Sequence, residues 1–298
     1  MSDVSMNKAA VSAADQGQPS QRRSSWVSDC LLSLRSFQMT TNAKDARVLV
    51  HLDTPENAVP PHPGPGWTRF VCISDTHSSV FRVPLGDVLL HAGDLSSYGS
   101  LSQLTHTINW LKSLDHPVKI MIAGNHDLCL DEKLGSVGYY GLQPESIQHA
   151  RAMVRNLASV GFYYLEHESL HFTSPSGKMW KVYGSPAAPV YVQGAFQYAS
   201  PAEAKEIYKQ IPEDTEILMT HTPPYRTLDR TKRGKNAGCD VLSSRLKELK
   251  HCRLHIFGHI HESAGTHVGD YKGRDTHRVS VNAAMPQNCG VVVVDFRD

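Results

Sequence analysis

The stretch Arg69-Phe70-Val71-Cys72-Ile73-Ser74-Asp75-Thr76-His77 runs from a short apolar segment straight into an aspartate and a histidine two residues apart. Apolar runs of this length bounded by polar turns read as buried strands. The pattern recurs four times. Val88-Leu89-Leu90 leads through His91-Ala92 to Gly93-Asp94, and Lys119-Ile120-Met121-Ile122-Ala123 leads to Gly124-Asn125-His126-Asp127. Glu216-Ile217-Leu218-Met219 leads to Thr220-His221, and Leu254-His255-Ile256-Phe257 leads to Gly258-His259-Ile260-His261. Loops after the carboxyl ends of strands in open α/β sheets converge on one crevice. Taken singly, Asp75, Asp94 or Asn125 is an ordinary turn or cap residue. Together the five strand ends deliver two Asp, one Asn and several His to one place, the makings of a dinuclear metal site.

Working outward, amphipathic segments alternate with the strands from Trp67 onward. Ser100 and Gln103 form a capping box for a helix with Leu101, Leu104, Ile108, Leu111 and Leu114 on one face. A second helix covers roughly Glu145 to Val160 and stops at Gly161; further helices start at Ser200-Pro201 and at Asp240. Met179–Tyr183, Arg278–Val281 and Gly290–Phe296 read as additional strands, the last buried on both faces. The expected class is α/β, with two packed mixed β-sheets flanked by helices.

Residues 1–41 are rich in Ser, Ala, Gln and Asn without a sustained hydrophobic period, the composition of a disordered tail. Residues 42–66, which include Pro60-Pro61-His62-Pro63-Gly64-Pro65-Gly66, read as an extended, Pro-rich connector to a domain at 67–298. A net charge of +1 removes any electrostatic case for nucleic acid or an anionic membrane, and no apolar stretch reaches the ~18 residues of a membrane helix. The six cysteines are scattered, with no CxxC pair and no secretory signal, which fits a cytoplasmic setting. Oligomeric state has no signal.

The chemistry of the donors narrows the metal. Asp offers an anionic oxygen able to bridge two ions, neutral His offers nitrogen, and Asn125 offers a carbonyl oxygen without charge. Oxygen and imidazole without thiolate suit Mn, Fe or Zn and disfavour Mg. Asp75 with His77, and His259 with His261, have the two-residue spacing that points alternate side chains of an extended loop the same way.

Taken in order, Asp75-Thr76-His77, Gly93-Asp94, Gly124-Asn125-His126-Asp127, His221 and Gly258-His259-Ile260-His261 resemble the calcineurin-like metallophosphoesterases over about residues 67–298. The wording of Thr68–His77 and of Ile217-Leu218-Met219-Thr220-His221-Thr222-Pro223-Pro224 is similar to the metallophosphoesterase-domain-containing subgroup, linked to cyclic nucleotide and other phosphodiester hydrolysis. The resemblance implies the calcineurin-like sandwich and two divalent ions, Mn first with Fe or Zn as alternatives. Asp75, His77 and His261 would hold one ion; Asp94 would bridge to a second, held by Asn125, His221 and His259. His126 would protonate the leaving oxygen, with Asp127 supporting its loop. Some relatives in the subgroup lack the histidine at the position of His259, which this chain keeps. The implied activity is hydrolysis of a small phosphodiester or phosphomonoester, nucleotides and cyclic nucleotides among them, by a metal-bridging hydroxide. A phosphoprotein phosphatase, a pyrophosphohydrolase and a non-catalytic interaction scaffold are the alternatives.

The chain departs from the protein Ser/Thr phosphatases after the second block. Their Gly-Asp-x-x-Asp-Arg-Gly is here Gly93-Asp94-Leu95-Ser96-Ser97-Tyr98-Gly99, so Ser97 replaces the carboxylate that steers the catalytic histidine and the phosphate-gripping Arg is missing. What orients His126 stays open. The basic run Arg230-Thr231-Lys232-Arg233-Gly234-Lys235 is either a solvated loop or a phosphate-steering element, and Tyr183-Gly184-Ser185-Pro186 is either a turn or a pocket wall.

Overall fold

A computed structural model describes residues 47–54, 58–136, 141–269, 278–285 and 290–298. The tail at 1–41, with Cys30, and Cys289 lie outside the described residues. Two six-stranded sheets pack face to face. The first has the order β1 (Val48–Asp53), β14 (Val291–Arg297), β2 (Trp67–Ile73), β3 (Val88–Ala92), β4 (Val118–Ile122), β5 (Phe162–Tyr164). The second runs β12 (Gly265–Gly269), β13 (Arg278–Asn282), β11 (Leu254–Phe257), β10 (Ile217–Thr220), β7 (Met179–Ser185), β6 (Glu168–Thr173). A two-residue pair, β8 (Ala188–Pro189) with β9 (Gln197–Tyr198), stands apart from both. The expected mixed α/β sandwich is what the chain forms.

Period-two alternation builds the layers. Phe70 and Cys72 of β2 point between the sheets, where they meet Trp180 and Val182 of β7, Ile217 and Met219 of β10, and Val292 and Val294 of β14. Phe70 packs edge-on against Trp180 with ring centroids 5.1 Å apart, and the indole Nε1 donates to Thr68 Oγ1 at 3.2 Å. Burying each such side chain stabilises the fold by ~1.5–3 kcal/mol. Val71 and Ile73 point the other way, into a second cluster with Leu104, Ile108 and Leu111 of the helix Leu101–Ser113 and Ala150 and Val154 of the helix Pro144–Asn156. The helices Pro201–Tyr208 and Asp240–Glu248 cover the outer face of the second sheet through Ala204, Tyr208, Leu242 and Leu246. Ser100 Oγ accepts Gln103 N as expected, but the Gln103 side chain reaches back to Tyr98 N (2.9 Å).

Within the stretch read as a connector, residues 48–53 form β1, which pairs antiparallel with β14 from Val48↔Phe296 to Asp53↔Val291. Cys72, Cys129 and Cys239 are buried free thiols, and the buried Cys252 Sγ donates to Leu254 O (3.4 Å). No helix among the described residues is long and apolar enough to cross a membrane.

The register sets the working end. β2, β3 and β4 are mutually parallel, with Ile73 opposite His91 and Ala92 opposite Ile122, so the three following loops start level. β7, β10, β11 and β13 are likewise parallel, with Thr220 opposite Ser185 and Phe257 opposite Asn282.

Candidate metal centre

All five loops meet at these carboxyl ends, and close backbone approach makes that possible. A Cβ on Gly124 would stand 2.3 Å from Asp94 Oδ1, and one on Gly258 1.9 Å from Asp75 Oδ2, so a larger residue at either place would displace a carboxylate. Asp75 N donates to Gly93 O (2.9 Å) and His77 N to Asp94 O (3.1 Å), locking the first loop to the second. Asp75, His77, Asp94 and His259 all have left-handed φ, between 46° and 67°. Such conformations cost ~1–3 kcal/mol each and persist where the surrounding structure over-determines them.

The donor atoms converge. Asp75, His77 and His261 form one group whose atoms lie within 4.8 Å of one another; Asp75, Asp94 and His221 form another, and His77, Asp94 and His126 a third. His261 Nε2 lies 3.0 Å from Asp75 Oδ1 and 3.3 Å from His77 Nε2. Asp94 Oδ2 stands between the two halves, 3.4 Å from His221 Nε2 and 3.8 Å from His77 Nε2, while its Oδ1 accepts the His126 amide at 2.8 Å. His221 Nε2 is also 3.0 Å from Asn125 Oδ1, and its ring is 5.0 Å from that of His259. His221 Nδ1 donates to the Ala92 carbonyl (3.0 Å), which leaves Nε2 as the ligating atom, the arrangement that metal-bound histidines adopt. Carboxylate and imidazole from Asp75, His77, Asp94, His221 and His261, with the Asn125 amide oxygen beside His221, suit divalent ions of the Mn, Fe or Zn type, whereas His259 is placed only by its ring beside that of His221.

Electrostatics follow from two buried carboxylates among histidines. Burial pushes the Asp75 carboxyl up, but the His261 contact and the charges of His221 and His261 outweigh it and hold it well below the carboxylate range. Burial would lower His221, yet the Asp94 carboxylate overrides it and raises the ring to about 9. Buried His259, beside the positive His221, is lowered to about 4.

His126 differs from the other site histidines: its ring is exposed. Its Nδ1 donates to the backbone carbonyl of Ser97 at 2.7 Å, so a main-chain oxygen holds the ring where the protein phosphatases use a carboxylate, and Nε2 is left to exchange a proton. The Ser97 hydroxyl meanwhile donates to the His77 carbonyl at 2.6 Å. Asp127 is fully buried; its carboxylate accepts Leu95 N (3.1 Å), Ser96 N (2.9 Å), Ser96 Oγ (2.7 Å) and Gly124 N (2.8 Å). Burial and nearby Asp94 raise its carboxyl to about 6. It fastens the Asp94 loop to the Asn125 loop.

Two buried histidines without a sequence signature support the site from behind. His91 Nδ1 accepts Gly93 N (3.3 Å), so its Nε2–H donates to Thr76 Oγ1 (3.0 Å), between Asp75 and His77. On the second sheet the Thr220 hydroxyl donates to Thr222 O (2.8 Å), so His255 Nε2–H donates to Thr220 Oγ1 (2.9 Å), one residue before His221. Burial lowers His91 to about 3 and pushes His255 well down, so both stay neutral. Of the remaining candidates, Ser185 O accepts the His221 amide (3.2 Å) at the end of β7, and the basic run lies against the segment after His261.

Residues 68–263 match the calcineurin-like phosphoesterase family. Metallophosphoesterase domain-containing protein 1 of Homo sapiens is 35% identical over 214 residues, covering 67% of this chain and 63% of that protein. A UPF0046 protein of Caenorhabditis elegans is 31% identical over 231 residues, covering 72% of this chain and 74% of its own length. A probable rhamnogalacturonate lyase C of Emericella nidulans is 36% identical over 201 residues, a match confined to 18% of that protein. A solved crystal structure superposes with a TM-score of 0.50 at 14% identity, covering 72% of this chain and 90% of its own, a likeness of fold. With its two-sheet sandwich, its strand-end donors and a match over most of its length, the chain belongs to the calcineurin-like phosphoesterases.

Proposed function

We propose that the chain is a dinuclear metal-dependent phosphoesterase hydrolysing small phosphodiesters or phosphomonoesters, nucleotides among them. The observation that carries this reading is the position of Asp94 Oδ2 between His221 Nε2 at 3.4 Å and His77 Nε2 at 3.8 Å, one carboxylate oxygen facing both halves of the donor set. Asp75, His77 and His261 would hold one ion, Asn125, His221 and His259 the other, with Asp94 shared and Mn the first candidate. When bound, such ions activate water and neutralise charge on phosphoryl oxygens. The chain's own part is geometric and acid–base. Asp127 keeps the Asp94 and Asn125 loops at a fixed spacing, and the Ser97 carbonyl presents His126 Nε2 to the substrate side, where it delivers a proton to the leaving oxygen.

Ser97, with no Arg following, speaks against phosphoprotein as the substrate. The eight site positions, all filled, speak against a scaffold that has lost its chemistry. Buried free thiols fit a reducing, cytoplasmic setting. The test is an activity screen of Mn-, Fe- and Zn-reconstituted protein over mono-, di- and cyclic phosphoesters. Turnover of at least one class, abolished by chelation, is expected; inactivity with every metal and ester would overturn the reading.

A further inference from the structure

The loop between β10 and the helix Asp240–Glu248 is built, not slack. Pro224 and Cys239 close its base in a parallel bridge, and the antiparallel bridge Arg230–Asn236 makes a tight hairpin whose turn is closed by Thr231 N to Lys235 O (2.9 Å) and Gly234 N to Thr231 O (2.8 Å). Buried Asp229 braces it from inside by accepting Arg226 N (3.0 Å), Gly238 N (2.9 Å) and Asn236 Nδ2 (2.6 Å). Those three neutral donors satisfy its carboxylate.

The hairpin is also fastened to the metal-site loop. Arg230 N donates to Ser263 Oγ (2.8 Å), Ser263 Oγ donates to Arg230 O (2.8 Å), and Lys232 N donates to Glu262 Oε1 (3.2 Å). Glu262 and Ser263 follow the candidate ligand His261 directly. Fully buried Asn282, at the end of β13, donates to Leu228 O (3.0 Å) and to Ile260 O (2.9 Å), so one side chain sets the spacing of both loops. The outer surface of the hairpin carries Arg226, Arg230, Lys232, Arg233 and Lys235, all exposed. Five cations in ten residues, on a chain of net charge +1, are a local concentration that the hydrolytic centre does not use.

We propose that this hairpin is a subsite for a second phosphate, and that the substrate is a phosphoester bearing another phosphate besides the one cleaved. The proposal rests on the phosphoesterase reading above and specifies its substrate class. An anchored hairpin holds its backbone beside the His261 side of the centre, so binding orders side chains only, and clustered like charges raise the local concentration of an anionic ligand. The same cations on a merely solvated loop would not distinguish substrates.

A matched pair of esters tests this: thymidine 5′-(p-nitrophenyl phosphate) and its 3′-phosphorylated counterpart share the scissile diester and the leaving group. The 3′-phosphate should raise kcat/KM about tenfold at low salt, through KM, and added NaCl should erode the advantage. In an Arg233→Gln/Lys235→Gln double variant the ratio should fall towards one, whereas Lys205→Gln on the helix Pro201–Tyr208 should keep it. A wild type without the preference, or a double variant that retains it, overturns the subsite. Wild type inert towards both esters counts against this ester class for the phosphoesterase reading and passes the decision on the subsite to binding. Calorimetry then decides separately, with thymidine 3′,5′-bisphosphate expected to bind about tenfold tighter than thymidine 5′-monophosphate in the wild type and equally in the double variant. Equal affinities in the wild type overturn the proposal. Co-sedimentation with vesicles carrying a phosphorylated inositol headgroup separates the sources of the second phosphate: bisphosphate-competed binding assigns it to a lipid, and no binding to a soluble ester.

Discussion

At the start of β2, Arg69 is closed into a two-point fork with buried Asp295, Nε to Oδ1 and NH2 to Oδ2, both at 2.7 Å. Its remaining donors reach the carbonyls of Pro60 (3.0 Å) and Pro61 (3.3 Å), and His51 adds a contact to Asp295 at 3.2 Å. Seven residues from Arg69 along the chain, counting inclusively to Asp75, the same strand ends in the opposite arrangement. There Asp75 and Asp94 are two buried carboxylates facing each other's histidines, on left-handed backbone, with lone pairs directed at a common space. One end matches each buried charge with a partner and stabilises the sandwich. The other gathers two carboxylates that share histidines able to act as ligands, on strained backbone, an arrangement suited to a cation.

Breaking the working end should abolish function while sparing the fold. Asp94→Ala removes the oxygen that faces both donor groups, so activity should fall to background with every metal, more than for His261→Ala, which strips one terminal donor. Unfolding in chelator should stay cooperative with a modestly lower Tm, since Ala keeps the left-handed backbone while His221 and the His126 amide lose a partner. An active Asp94→Ala enzyme would remove Asp94 from the shared position.

The next effect belongs to His126, the proposed proton donor. His126→Ala should lower kcat by ~10²–10⁴-fold while leaving metal content intact, and the loss should shrink for p-nitrophenyl esters, whose leaving groups need little protonation. A drop in metal content would make His126 a ligand, a role its distance to His77 and Asp94 also permits.

At the paired end, Arg69→Met should do the reverse: a loss of about 3–5 kcal/mol of stability with kcat nearly unchanged, because Asp295 is left buried without its main partner. Burial alone would raise Asp295, but the Arg69 and His51 contacts hold its carboxyl below the usual aspartate value. The folded state therefore binds this proton less readily than the unfolded chain, so the contribution is complete above about pH 4 and is lost as pH falls through the lowered value. Urea unfolding at a series of pH values should show the gap between wild type and Arg69→Met narrowing in acid. A pH-independent gap would mean that packing, and not the ion pair, supplies the difference.

The smallest effect is expected behind the site. His91→Gln disturbs Thr76 without touching a donor, and should weaken Mn²⁺ affinity by roughly 10–100-fold, as should Thr76→Val, with the double variant no worse than either. Additive losses would show that the two side chains act separately.

The strand-end donors were legible because each stands out against an apolar run, and the family resemblance then ordered them. The supporting elements were not. His91 and His255 sit inside strands where a lone histidine reads as a satisfied core residue, and their Thr partners look like ordinary turn residues. The Ser97 carbonyl that holds His126 has no side-chain code at all. β1 is a half-buried edge strand beside a Pro-rich stretch, so its Val-Leu-Val-His-Leu-Asp pattern was absorbed into the connector; only pairing with β14 reveals it. Helices and parallel strands are set by local periodicity, whereas these features depend on which chain segment lies across from them.

On the proposed reading, seven donors from five strand-end loops would hold two ions. Metal content of the purified chain after saturation with Mn²⁺ and removal of excess tests it most directly, with Asp94→Ala alongside. Two ions per wild-type chain and fewer in the variant are expected; a wild type that retains one ion or fewer, or a variant that still retains two, would rule out the dinuclear site.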